Sequence, residues 1–193
     1  MNHMSFIDDQ VLKNTIVDRN RLESLCQKIQ SVSDKAGSLC EVGVYKGGTA
    51  RLICRSNSGP VNLIDTFEGL PQTSEKDNHH KKGDFGNTSI EHVKSVLHDC
   101  SNYTLIKTRF PDGAETIADQ KFKFVHIDVD IYQSVKDCLE WFYPRMISGG
   151  WLVLDDYGAG SCLGAKIATN EFLQGKPLKL IVGPSCQASI IVP

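Results

Sequence analysis

The sequence has no surplus of positive charge: 21 Lys and Arg stand against 23 Asp and Glu, for a formal net charge of -2. Its basic residues are scattered rather than gathered into a stripe, so it lacks the electrostatic footprint that holds a nucleic-acid backbone, and no nucleic-acid partner is expected. It has no apolar stretch approaching bilayer length and no charged start followed by the apolar run of a secretory signal. A cytoplasmic protein without a membrane partner is the expectation. Paired metal-binding cysteines are also missing. Cys26, Cys40, Cys54, Cys100, Cys138, Cys162 and Cys186 are odd in number and widely spaced, with no CxxC or Cys/His zinc spacing, and they read as reduced, mostly buried thiols. No internal repeat or low-complexity segment points to a solenoid.

What is present fits one globular unit. The 193 residues are 40% hydrophobic and 23% charged, enough for one well-filled core and short for two, so residues 1–193 are expected to form a single domain. Val11, Leu12, Ile16, Leu22, Leu25 and Ile29 recur at helical spacing and predict a helical segment within residues 1–33. Beyond it strands and helices alternate. Strands are predicted over 38–44, 61–66, 103–108, 122–128, 151–154, 178–182 and 189–192. Helices are predicted over 49–56, 89–98, a segment carrying Val135, Leu139 and Phe142, and 164–173. Such alternation implies an α/β fold with a mainly parallel sheet covered on both faces, because parallel neighbours need long crossovers and the helices supply them. The last two strands share a short link and must run antiparallel.

Residues 71–89, PQTSEKDNHHKKGDFGNTS, are polar and without periodicity, the mark of a long functional loop and a candidate active-site lid. Within it His79, His80, Lys81 and Lys82 read as solvated, with a contact to substrate left open.

Three motifs carry chemistry. In Glu41-Val-Gly43-Val-Tyr45-Lys-Gly47-Gly48-Thr49 the glycines fall where the first strand gives way to a helix. Backbone can approach a ligand closely there, and helix amides are free to donate. The spacing is not GxGxxG, so it suits a cofactor with a carboxylate and a ribose better than a pyrophosphate-bridged dinucleotide. A tight turn without a ligand is the alternative. Asp65 ends the second strand about 20 residues later, where open α/β folds hold ribose hydroxyls; capping the next turn would also explain it. The strongest set is Asp128 at the end of one strand and Asp155-Asp156 at the end of the next. On neighbouring strands these ends lie roughly 5 Å apart, and three converging carboxylates call for a divalent cation, magnesium before zinc. Helix capping by two of the three is the competing explanation. His126, in mid-strand, reads as a hydrogen-bonded core residue and not as a ligand.

The string VHIDVDIYQSVKDCLEWFYPRMISGGWLVLDDYG, residues 125–158, resembles the macrocin and mycinamicin sugar O-methyltransferase family. EVGVYKGGTA, DTFEGLP, KGDFGNTS and GAKIATNEF follow in that family's order, so the resemblance covers most of residues 40–173. It implies a class I methyltransferase fold: a Rossmann-like three-layer sandwich whose seven-stranded, mostly parallel sheet has the order 3-2-1-4-5-7-6 and one antiparallel strand. It implies S-adenosylmethionine and Mg as cofactors and a small-molecule hydroxyl, often on a sugar, as acceptor. By position it makes Asp128, Asp155 and Asp156 metal ligands, with Asp128 also the base and in reach of the cofactor. It makes Glu41, Gly43, Tyr45, Gly47 and Thr49 cofactor contacts, with Asp65, Thr66 and Phe67, and it places Phe110 and Asp112 at the adenine edge. The segments before residue 40 and after Phe172 match poorly and leave acceptor identity and a homo-oligomer open. Three other readings compete: a catechol-like aromatic O-methyltransferase, a non-catalytic cofactor-binding module, and a nicotinamide oxidoreductase, the last disfavoured by the glycine spacing.

Overall fold

The computed structural model describes residues 6–193; positions 1–5 of the expected N-terminal helical segment lie outside the described residues. That segment forms two helices, α1 (Asp9–Lys13) and α2 (Arg19–Ser31). Each begins at an aspartate that satisfies free amides of its first turn: Asp8 accepts from Val11 N, and Asp18 from Asn20 N and Arg21 N. The alternating region then gives β1 (Ser38–Val42), α3 (Gly48–Arg55), β2 (Val61–Asp65), α4 (Ile90–Val96), β3 (Tyr103–Lys107) and β4 (Phe122–Ile127). It continues through α5 (Tyr132–Phe142), β5 (Met146–Leu154), α6 (Leu163–Leu173), β6 (Leu180–Val182) and β7 (Ala188–Ile191).

The seven strands form one sheet in the order β3-β2-β1-β4-β5-β7-β6. β1 to β5 pair in parallel, while β7 runs antiparallel to both β5 and β6. Successive strand residues point to opposite faces, so each strand feeds two cores. Leu39, Leu63, Phe124 and Val153 pack with α1 to α4 on one face. Cys40, Ile64, Val125 and Leu152 pack with α5 and α6 on the other. This is the three-layer class I methyltransferase architecture.

One strand is longer than its pattern suggests. β5 begins at Met146, upstream of the apolar run 151–154, and includes Gly149 and Gly150. Val192 N donates to Gly150 O at 3.0 Å and Gly149 N to Val192 O at 2.7 Å; the ladder extends the strand where no side-chain alternation announces it. Residues 71–89 contain no helix or strand. The loop's base is nonetheless tied, with Leu70 N donating to Asp84 O and Gly83 N to Leu70 O.

Candidate active site

Because β1 and β4 are parallel neighbours, their C-terminal ends emerge side by side, and the turns that follow wall a cavity of about 280 Å³. Gly43 stands at the closest approach. It adopts φ +92, and a Cβ there would overlap the carbonyl oxygen of Asp128, so a side chain is excluded by conformation and by space. Asp65 holds the same turn from the β2 side. Its Oδ2 accepts from Val44 N at 2.7 Å and Tyr45 N at 2.9 Å, and its Oδ1 from Phe67 N at 2.7 Å. The carboxylate therefore organises the glycine turn and still faces the cavity with lone pairs to spare.

Gly43, Tyr45, Thr49, Asp65, Thr66 and Phe110 line the cavity together with all three of Asp128, Asp155 and Asp156. Four expected cofactor contacts do not. Glu41 is fully buried beneath the cavity, its Oε1 accepting from His126 Nδ1 at 3.0 Å. Gly47 has φ +86 as the residue preceding α3 and packs against Val93. Phe67 is buried in the core on the α1–α4 face. Asp112 is exposed, and its carbonyl accepts from Thr108 Oγ1 at 2.6 Å. Alternation explains Glu41, which lies on β1 beside the cavity-lining Val42, whereas the turn at Phe67, with φ +54, directs that ring into the core.

β4 and β5 are parallel neighbours, and Asp128 and Asp155 meet at their ends. Asp128 and Asp155 offer oxygens within 4.8 Å of each other and of a His126 nitrogen. Asp156 stands beside them and accepts from Asp130 N at 3.1 Å. His126 is held between two carboxylates, donating to Glu41 and reaching Asp155 Oδ1 at 3.4 Å. Burial opposes its protonation, but hydrogen bonds and charge from Asp155 and Glu41 carry its pKa well above the usual histidine value. With both ring nitrogens turned to carboxylates, His126 is a buried residue that positions Asp155.

Asp155 is strongly held. Arg21 from α2 ion-pairs with its Oδ2, and Gln187 Nε2 donates to Oδ1 at 3.1 Å. Burial raises its pKa, yet His126 and Arg21 outweigh that and keep the carboxyl ionised below the usual range. Burial and then repulsion from the neighbouring carboxylates push Asp128 and Asp156 well above that range. Burial and mutual repulsion therefore favour the neutral acids unless a cation offsets them, and the three carboxylates offer oxygen alone as donors. That chemistry fits a hard divalent cation.

Three further residues at the site, Asp130, Cys162 and Arg21, have no role assigned from sequence, where His80 reads as solvated. Asp130 lies two residues past Asp128 with φ +57 and faces the same cavity. His80 turns inward instead of into solvent, placing Nε2 3.3 Å from Cys162 Sγ, and both line the cavity. A histidine in a polar loop and a lone cysteine carry no local signal of meeting. Arg21 sits 134 residues from Asp155 along the chain, and only the tertiary fold brings it there.

A profile described as Macrocin-O-methyltransferase (TylF) matches residues 5–180. The chain is 26% identical over 175 residues to a tetracenomycin-C rhamnosyl 4'-O-methyltransferase of Streptomyces olivaceus, covering 79% of this chain and 66% of that protein. It is 28% identical over 181 residues to demethyldecarbamoylnovobiocin O-methyltransferase of Streptomyces niveus, covering 82% and 67%. The chain thus spans about two thirds of the length of these relatives. The solved structure of the O-methyltransferase NovP superposes with a TM-score of 0.79 at 25% identity, over 92% of this chain and 81% of that one. On the match to most of its length, this chain belongs to the macrocin O-methyltransferase family.

Proposed function

We propose that the chain is an S-adenosylmethionine- and magnesium-dependent O-methyltransferase whose acceptor is a hydroxyl of a sugar or glycosylated small molecule. The observation that carries this reading is that Asp128, Asp155 and Asp156 all line the cavity bounded by the Gly43–Tyr45 turn and Asp65. Family membership and relatives named as methyltransferases of rhamnosyl and novobiocin-type substrates support it.

In this reading the cavity's Gly43 and Tyr45 turn, ordered by Asp65, receives the methyl donor, with Asp65 and Thr66 positioned for hydroxyl groups and Phe110 for a flat ring. Phe110 is itself braced by Phe142, stacked at a centroid separation of 5.1 Å. Asp128, Asp155 and Asp156 would hold the cation, which would supply positive charge that lowers the pKa of a nearby hydroxyl. Asp128 accepts the acceptor's proton, a contribution of about 10² to 10⁴ in rate for a positioned base. His126, Arg21 and Gln187 fix Asp155 in place, so the carboxylate does not reorganise when the substrate arrives. Residues 71–89 act as a lid: Leu70, Pro71, His80 and Phe85 already face the cavity. Holding donor and acceptor in line can lower the barrier by about 7 to 11 kcal/mol.

The test is Asp155→Asn. Calorimetry is expected to show near wild-type binding of S-adenosylmethionine, while methyl transfer to a glycosylated acceptor falls at least about 100-fold. Retained turnover in that variant would remove the aspartate cluster from the mechanism.

A further inference from the structure

On the lid side of the cavity three more donors from distant parts of the chain converge. His80 comes from the loop, Asp130 from the turn between β4 and α5, and Cys162 from the residue that precedes α6. His80 Nε2 lies 3.3 Å from Cys162 Sγ and 3.7 Å from Asp130 Oδ1, and Cys162 Sγ lies 3.6 Å from the same oxygen. With Zn–N and Zn–S bonds of about 2.0 and 2.3 Å, the edges of a tetrahedral shell are on the order of 3.3 to 3.5 Å. The three atoms therefore stand close to the spacing of one face of such a shell before any ion is considered.

We propose that His80 Nε2, the Asp130 carboxylate and the Cys162 sulfur form a site for a zinc-class divalent cation, with the fourth position open to the cavity. All three residues line that cavity. A second observation concerns the other ring nitrogen: His80 Nδ1 faces Asp84 Oδ2 at 3.7 Å. That contact is longer than a hydrogen bond, and Asp84 Oδ2 already accepts from Lys81 N at 2.8 Å; closed to bonding distance on metal binding, the carboxylate would take the place of the outer partners that accompany metal-bound imidazoles. Ser161 Oγ lies 3.5 Å from the Cys162 sulfur, while burial and the nearby Asp156 and Asp130 carboxylates push the thiol up, so a bound cation would have to displace its proton.

The site is chemically distinct from the aspartate cluster. A nitrogen, sulfur and oxygen set selects a softer ion than three carboxylates do. Its occupation would join residue 80 of the lid to the start of α6 and the end of β4, holding the lid against the cavity. The inference goes beyond methyl transfer and stands whether or not magnesium occupies the first site.

Cobalt(II) is the probe. Added to the reduced, metal-free full chain, it is expected to give visible absorption of tetrahedral geometry together with a near-ultraviolet thiolate charge-transfer band, saturating at one ion per chain and displaced by zinc. Cys162→Ser is expected to lose the charge-transfer band. His80→Gln, a change in the loop, is expected to weaken cobalt binding at least tenfold and carries the test should the cysteine variant fail to fold. Asp155→Asn is expected to keep the band, which separates this ion from the one proposed for methyl transfer. Absence of the band in the wild-type chain, its survival in Cys162→Ser, or unchanged affinity in His80→Gln would overturn the proposal.

Discussion

The charged residues that matter most are those whose partners are remote in sequence. Arg51, 4% exposed inside α3, bonds Asp8 through Nε and Nη2, Asp99 through Nη1 and Nη2, and the carbonyl of Val96 at 2.8 Å. Arg51 holds the Asp99 carboxyl down at about 2, against an unfolded value of about 3.9. A depressed carboxylate stabilises the fold above its unfolded pKa and loses that contribution as pH falls through its folded value. Stability carried by this pair is therefore complete above about pH 5 and lost towards pH 2. Arg51→Met is expected to cost about 1 to 3 kcal/mol by denaturant unfolding at pH 7, and to flatten the acid limb of the pH–stability curve. A wild-type acid limb in that variant would contradict the assignment. In the sequence Arg51 is one polar position in a short helix, and nothing there announces three partners. The aspartates of the site were legible for the opposite reason. Asp128 closes the strand Phe122–Ile127 and Asp155-Asp156 follow the apolar run 151–154, and that placement alone puts carboxylates at a sheet edge. His126 was legible as a core histidine, but its charge depends on Glu41 and Asp155 from two other strands.

At the scale of elements, periodicity located almost every strand and helix because each has one face or both against a core. It failed where hydrogen bonding rather than burial defines the element, as in the Met146–Gly150 half of β5. The β1–α3 turn was found through its glycines, but their work differs from position to position: Gly43 lets β1 meet β4, whereas Gly47 fits beside Val93. Gly43→Ala must adopt an unfavourable φ and displace the Asp128 carbonyl, so a loss of about 2 to 4 kcal/mol is expected, roughly 5 to 15 °C in Tm. Weaker cofactor binding should accompany it. An unchanged melting temperature would show that the two strand ends are not held as described. The loop 71–89 was identified by length and polarity, which say that it is a loop but not which side chains turn inward. Hydrogen exchange across residues 72–88 is expected to slow when S-adenosylmethionine and an acceptor are both added. Unaltered protection would argue against a lid.

For the whole molecule, the seven-stranded order and the single antiparallel strand gather every chemical motif at the carboxyl ends of β1, β2, β4 and β5, where open α/β sheets bind ligands. Strand order is a property of the assembled sheet; the alternation of elements fixed only its parallel character, and the motif resemblance supplied the rest. The N-terminal helices look like scaffold in sequence, yet α2 delivers Arg21 to Asp155 and so belongs to the site as much as to the core. Production of S-adenosylhomocysteine with a rhamnosylated or novobiocin-type acceptor, measured before and after exhaustive chelation and again on restoring magnesium, tests the central claim most directly. The account predicts turnover that is lost on chelation and returns with the ion; full turnover after the metal has been stripped, or none under any of the three conditions, would contradict it.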